Sequence, residues 1–294
     1  HLHIIIYLYM QLFSGGYILM EQSRINELKN IARNIRLGTL EGVYNAKSGH
    51  PGGSLSIADI LAYLYFEEMN IDPKNSAWED RDRFVLSKGH AAPALYATLA
   101  ERGFFDKSEL KGLRKIDSFL QGHPDMKHTP GIDMSTGSLG QGISAACGMA
   151  LAGKVKGKNY RVYTIVGDGE SEEGQVWEAS MFANRYALDN LCVILDFNGL
   201  QIDGKISEIV NPAPFDTKLA AFGYNVITID AHDFTQIENA LKAAKECKGR
   251  PTAIIAKSIK GKGVSFMEND VDWHGKAPNE EQYEKAVAEL KASV

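Results

Sequence analysis

The centre of this sequence alternates short, continuously apolar runs with amphipathic segments, and no other feature constrains the fold as much. Arg161–Val166, Leu191–Phe197, Asn225–Ile229 and Thr252–Ala256 read as strands, with Val176–Tyr186, Phe215–Phe222 and Phe234–Ala244 between them at helical spacing. A strand without a polar face must be covered on both sides. The pattern therefore predicts an α/β fold: a parallel sheet with helices on both faces. A further strand, Arg83–Ser87, precedes the series. Upstream, Ile25, Leu28, Ile31, Ile35, Leu40 and Val43 predict a helix over Ser23–Ala46. Ser56 followed by Asp59 predicts a capped helix start that carries Ile57, Ile60, Leu61 and Leu64 inward. A long loop with Gly122, Pro124, Pro130 and Gly131 leads to a small-residue helix near Gly142–Lys156, suited to close backbone approach. A last helix, Asn279–Leu290, follows the start signal Pro278-Asn279, and no repeat or composition break marks a second domain.

Composition excludes several classes of function. Of the residues, 44% are hydrophobic and 23% charged, which argues against disorder. With Lys+Arg 32 and Asp+Glu 37, the net charge of −5 leaves no general basic footprint for nucleic acid. Cys147, Cys192 and Cys247 lie far apart and form no C-x-x-C. That excludes a disulfide framework or cysteine zinc site and fits a reducing, cytoplasmic setting. The apolar run Ile4–Phe13 is shorter than the about 20 residues a membrane span needs, and His1-Leu2-His3 gives a signal peptide little positive charge. Residues 1–19 are expected to be an upstream extension, with 20–294 the working domain. The alternative is a hydrophobic arm docked on a neighbouring subunit.

Ligands of such sheets bind beyond the carboxyl ends of the strands, so the motifs that matter lie on those loops. Gly167-Asp168-Gly169 directly follows one strand and Asn198-Gly199-Leu200 the next. If the two strands pair, their ends stand about 5 Å apart. The Asp168 carboxylate, the Asn198 amide oxygen and the Leu200 carbonyl can then reach one cation. These hard oxygen donors suit Mg²⁺ or Ca²⁺, completed by phosphate and water, and do not suit zinc. Three of the eight histidines directly follow glycine, at Gly49-His50, Gly89-His90 and Gly122-His123, whereas composition gives about 0.8 such pairs. His274 precedes Gly275. Histidines on such loops can donate to phosphate or sugar hydroxyls. His128 and His232 read as solvated or structural.

Ser48-Gly49-His50-Pro51-Gly52-Gly53, Leu86-Ser87-Lys88-Gly89-His90 and Gly122-His123-Pro124 resemble transketolase. So do Thr136-Gly137-Ser138-Leu139-Gly140-Gln141-Gly142, Gly167-Asp168-Gly169 with Asn198, and Trp273-His274-Gly275. The likeness runs in order from about Met20 and covers the family's thiamine diphosphate-binding half. It implies the N-terminal subunit of a split transketolase, which moves a two-carbon glycolaldehyde unit from a ketose phosphate to an aldose phosphate in pentose phosphate metabolism.

The resemblance also implies roles for individual residues. Asp168, Asn198 and the Leu200 carbonyl would hold Mg²⁺, with Ca²⁺ able to substitute. His90, Gly169 and His274 would meet the diphosphate, Gly137 and Leu139 the aminopyrimidine, and Leu139 and Ile202 the thiazolium ring. His50, His123 and His274 would line the substrate channel and handle sugar protons as imidazoles of ordinary pKa, about 6.5. Glu173 and Glu178 match acidic positions that couple two sites across an interface. Their bland alternative is a solvated face shared with Glu170 and Glu172. Asp168 is expected on an exposed loop. Ser138 replaces the family's usual proline, leaving backbone contacts usable.

The activating glutamate and the main substrate-phosphate arginines belong to the family's other half. A C-terminal partner subunit is therefore expected, two of each in the assembly, with the isolated chain binding cofactor weakly. The alpha subunit of a 2-oxo acid dehydrogenase, a 1-deoxyxylulose-5-phosphate synthase-like enzyme and a non-catalytic regulatory module are the alternatives.

Overall fold

A computed structural model describes residues 20–202 and 204–293, so the readings of residues 1–19 lie outside the described residues. Helix α1 (Gln22–Ala46) buries Leu28, Ala32, Ile35, Leu40 and Val43 along the predicted stripe. Two short helices follow, α2 (Pro51–Leu55) and α3 (Ala58–Tyr63). The expected capping box at Ser56 is absent, because Ile57 is the N-cap of α3 and has no side-chain cap. Ser56 and Asp59 are drawn into buried polar contacts instead. Ser56 Oγ donates to Asp196, and Asp59 accepts from Arg36.

Strand β1 (Arg83–Leu86) leads to α4 (Ala92–Arg102), a helix that the sequence pattern did not predict. Pro93 stands in its first turn and Gly103 ends it in a left-handed conformation. Residues Ala92–Ala100 are all buried, so α4 shows no polar face and no 3.6-residue alternation. After α5 (Gln141–Val155) come β2 (Val162–Gly167), α6 (Gly174–Arg185) and β3 (Leu191–Phe197). Next are α7 (Ile206–Ile209), α8 (Phe215–Ala221), β4 (Asn225–Asp230), α9 (Phe234–Glu246) and β5 (Thr252–Lys257). Helix α10 (Glu280–Ala292) closes the series, started by a full capping box between Asn279 and Gln282.

The five strands form one parallel sheet in the order β1-β2-β3-β5-β4. Alternate strand residues feed two cores. Phe84, Tyr163, Ile165, Ile194 and Ile254 pack with α1, α3, α4 and α9, while Val85, Val162, Val193, Leu195 and Ile255 pack with α5, α6 and α8. A smaller cluster of Leu40, Leu55, Val264, Met267, Trp273 and Leu290 ties the C-terminal segment to α1 and α2. The α/β expectation holds strand for strand. Among the described residues, no helix is long and apolar enough to cross a membrane, and the three cysteines are unpaired.

Candidate active site

The loops beyond the carboxyl ends of β1, β2, β3 and β5 enclose a cavity of about 330 Å³. Its walls carry His50, His90, His274, Lys88, Lys260, Asp168, Asn198 and Leu200, with Gly137, Leu139, Gly169 and Ile202. As expected, β2 and β3 are direct neighbours, paired through Gly167 and Asp196. Asp168 Oδ2 accepts from the Gly199 amide at 2.6 Å, and Oδ1 from the Gly169 amide at 2.8 Å. Asn198 Oδ1 accepts from the Leu200 amide at 3.1 Å, while its Nδ2 donates to Asp196 at 3.1 Å. The three candidate metal ligands are thus brought together, thirty residues of separation notwithstanding.

Asp168 is only 2% exposed, so the expectation of an exposed loop is overturned. Burial, with Asp196 nearby, pushes its pKa up to about 7. A desolvated carboxyl beside a second one calls for positive charge, which fits a divalent cation. No group of three or more His, Cys, Asp or Glu side chains poised for a metal occurs among the described residues. One carboxylate, one amide oxygen and one carbonyl would leave the remaining positions to phosphate and water, the mode Mg²⁺ favours.

The three cavity histidines pack as a triangle, with ring centroids 5.3 Å (His50–His90), 5.4 Å (His50–His274) and 5.1 Å (His90–His274) apart. Burial, then nearby cations, lowers the pKa of His50 to about 4 and of His274 to about 3. Burial likewise holds His90 well below its usual value, with Lys88 adding to the effect. The imidazoles are therefore neutral and remain so well into acid, unlike the ordinary pKa expected from sequence. His50 Nδ1 is buried without a hydrogen-bond partner, a polar atom fit for a ligand.

His123 is exposed and lies outside the cavity lining, against Gly137. A Cβ on Gly137, whose φ is +151°, would come 3.1 Å from His123 Cγ, so glycine lets the two loops meet. Burial and Arg114 lower the His123 pKa. Glu173 and Glu178 are exposed at the start of α6 and on its face. Glu170 contradicts the reading of a solvated face, since it is 3% exposed. Its Oε1 accepts from Ser87 Oγ and the Gly140 amide at 2.5 and 2.9 Å, and its Oε2 from the Gly167 amide at 2.9 Å. That one side chain ties the loops after β1 and β2 to the N-terminus of α5. His128 is exposed and pairs with Asp125.

Three residues central to this geometry, Lys88, Asp196 and Lys260, carry no role in the sequence pattern. Lys88 Nζ donates to the Gly53 carbonyl and to Asp196 Oδ2, both at 2.6 Å. Burial opposes ionisation of Asp196, yet Lys88 holds its carboxyl below the usual value. Lys260 Nζ lies 3.1 Å from His274 Nδ1, and burial with Lys88 nearby lowers its pKa to about 8. Two inward-facing amines stand here with the carboxyls of Asp168, Glu170 and Asp196, a mixed charge set that suits an anion bound together with a cation. The only sequence signals were Lys88 inside Ser87-Lys88-Gly89-His90 and the position of Lys260 just past a strand end.

Comparison with known proteins bears on this arrangement. Residues 27–292 match the transketolase, thiamine diphosphate binding domain. The chain is 49% identical over 265 residues to the 6-deoxy-6-sulfo-D-fructose transketolase subunit SqwG of Clostridium sp. (strain MSTE9), covering 90% of this chain and 96% of that one. It is 40% identical to one of the subunits of the apulose-4-phosphate transketolase of Phocaeicola vulgatus, covering 87% and 90%. The crystal structure of Campylobacter jejuni transketolase superposes with a TM-score of 0.85 at 34% identity, covering 92% of this chain but only 43% of that one. Motifs, fold and similarity agree: this chain belongs to the transketolase family and carries its thiamine diphosphate binding domain.

Proposed function

We propose that this chain is the diphosphate- and metal-binding subunit of a two-subunit transketolase. The reading rests on one observation above all. Two buried lysines, three mutually packed neutral histidines and the Asp168–Asn198 pair converge on a single cavity at the carboxyl edge of the sheet. Lys88 and Lys260, with His90, His274 and the Gly169 backbone, would receive a diphosphate. Asp168, Asn198 and the Leu200 carbonyl would hold Mg²⁺ or Ca²⁺ against it. Gly137, Leu139 and Ile202 would support the rings. When bound, thiamine diphosphate supplies a carbon nucleophile and an electron sink for breaking the bond beside a ketose carbonyl.

The residues of this chain bind, orient and move protons. His50 and His274, uncharged at neutral pH, would hold a sugar hydroxyl by accepting its hydrogen bond or by donating their own N–H, so no further cation stands beside the two lysines, and His123 would reach the sugar from outside the cavity lining. Glu173 and Glu178 would face a second active site across the subunit boundary. The relatives named as subunits support a separate partner chain, expected to bring the activating carboxylate, with two of each chain assembling in the cytoplasm. α6 exposes Met181 and Phe182, with Tyr186 just past its end, and α5 exposes Val155 at its end, apolar surface on which that partner would sit. The expected activity is transfer of a glycolaldehyde unit from a ketose phosphate to an aldose phosphate.

Titration calorimetry of the two-subunit enzyme with thiamine diphosphate, with and without Mg²⁺, tests the site, and a ketose-to-aldose transfer assay tests the reaction. Metal-dependent binding and transfer are expected. Binding indifferent to Mg²⁺, or consumption of pyruvate without transfer, would overturn the reading.

A further inference from the structure

Lys260 hangs from a short segment beyond β5, and a fully buried lysine reaches one point only if its backbone is fixed. The Ser258 amide donates to the Phe197 carbonyl at 3.0 Å, and Ser258 Oγ donates to Asp196. The Gly261 amide donates to the Gly52 carbonyl at 2.9 Å. The amide between these anchors, Ile259 N–H, donates to a side chain: His232 Nε2 at 3.0 Å. His232 follows β4, the edge strand beside β5. It lies outside the cavity lining, where the sequence offered it only a structural or solvated part.

Its protonation follows from its partners. Ile259 N–H can only donate, so Nε2 is the bare acceptor and Nδ1 carries the proton. Nδ1 stands 2.7 Å from Asp59 Oδ2 and donates to it. Asp59 is in turn gripped by Arg36, at 3.2 Å to Oδ1 and 2.5 Å to Oδ2. Arg36 and Asp59 are both nearly buried, 7% and 6% exposed, so the pair forms a fixed base in the α1–α3 layer. A continuous run of hydrogen bonds leads from that base through the imidazole to the peptide just before Lys260.

We infer that His232 is a positioning residue, which holds the Ser258–Lys260 turn so that the Lys260 ammonium meets the anionic end of the ligand. The inference rests on the assignment of Lys260 to the diphosphate given above. No atom of His232 needs to touch ligand. Its part is to remove the freedom of one peptide on which a long, flexible side chain depends.

Two substitutions separate the halves of the imidazole. His232→Gln places an amide oxygen near Nε2 and keeps an acceptor for Ile259. His232→Asn reaches only as far as Nδ1, keeping the Asp59 contact and losing the Ile259 one. In the two-subunit enzyme, thiamine diphosphate should bind about tenfold more weakly to His232→Asn, the size typical of losing an outer partner that orients a binding group, and near normally to His232→Gln. Combined with Lys260→Met, His232→Asn should add nothing to the loss, as expected of residues acting through one another. The acetylation rate of Lys260, followed by mass spectrometry without any ligand, should rise in His232→Asn and stay low in His232→Gln. Unchanged labelling of Lys260 in His232→Asn, or a loss that adds in full to that of Lys260→Met, would overturn the inference. A wild-type enzyme that ignores thiamine diphosphate would instead overturn the reading of the cavity, while the labelling still tests His232.

Discussion

The buried lysines show how a residue type can conceal its own role. Lysine in a sequence predicts exposure, since it is almost never fully buried without a partner. Only the fold supplies Asp196 and the Gly53 carbonyl to Lys88, and His274 to Lys260. By contrast, His50, His90 and His274 were legible, because glycine neighbours on loops mark places where a backbone can come close to another group. Their pKa values were not legible, because desolvation depends on everything packed around a ring. The sign of the resulting pH effect is fixed. His50 has a folded-state pKa of about 4, so between pH 6.5 and 4 the unfolded chain takes up a proton that the folded chain refuses. The stability that His50 contributes should therefore be full above about pH 7 and fall through that window. His274 extends the fall towards pH 3. Asp59, held low by Arg36 and His232 against the effect of burial, contributes a separate loss beginning only near the ordinary carboxylate range. Asp168, with a folded-state pKa of about 7, works the other way over the same window, so the check is a difference: in thermal melts from pH 7.5 to 4.5, the Tm of His50→Gln should gain on that of the wild type as the pH falls. An identical slope in the variant would contradict the low pKa.

At the scale of elements, β2, β3 and β5 were readable because burial on both faces leaves a run of apolar residues with no helical period, while the partly exposed edge strand β4 was read from Val226, Ile227 and Ile229. The same rule hid α4, whose burial on all sides erased the alternation that marked α1 and α9. Glycines at Pro51-Gly52-Gly53 likewise disguised α2 as a turn. The small-residue character of α5 does mark a close approach. A Cβ on Gly142 would lie 2.6 Å from Ser87 Cα and 2.7 Å from Ser87 Oγ, whereas one on Gly148 meets nothing within 4 Å. The two glycines make opposite predictions within one helix. Gly142→Ala should destabilise the chain by about 1–3 kcal/mol through overpacking. Gly148→Ala should stabilise it by about 0.5–1 kcal/mol through helix propensity. Differential scanning calorimetry of both variants checks this, and a Tm for Gly142→Ala at or above the wild-type value would refute the close approach.

At the scale of the whole molecule, the apolar face of α5 and α6 needs an explanation that a lone chain does not provide. Met181 is 55% and Val155 78% exposed, and the rings of Phe182 and Tyr186 lie 4.5 Å apart. Replacing Phe182 and Met181 together by Asp should abolish co-purification with the partner subunit. The unfolding free energy of the isolated chain should stay within the roughly 0.5 kcal/mol expected of surface changes. Undiminished co-purification would place the partner elsewhere. A different consequence follows from how the cavity is assembled. Gly53, Lys88, Leu139, Asp168, Asn198, Lys260 and His274 line one space, yet they are drawn from almost the entire described length of the chain. The complete site exists only when these distant segments are in place together. A bound ligand is therefore felt as resistance to global unfolding, about 2.7 kcal/mol at a hundredfold excess over Kd. Slowed hydrogen exchange should extend over the central strands instead of being confined to the loops that touch the ligand. A filled cavity should therefore make the folded chain harder for a protease to cleave than an empty one, because cleavage follows the population that opens.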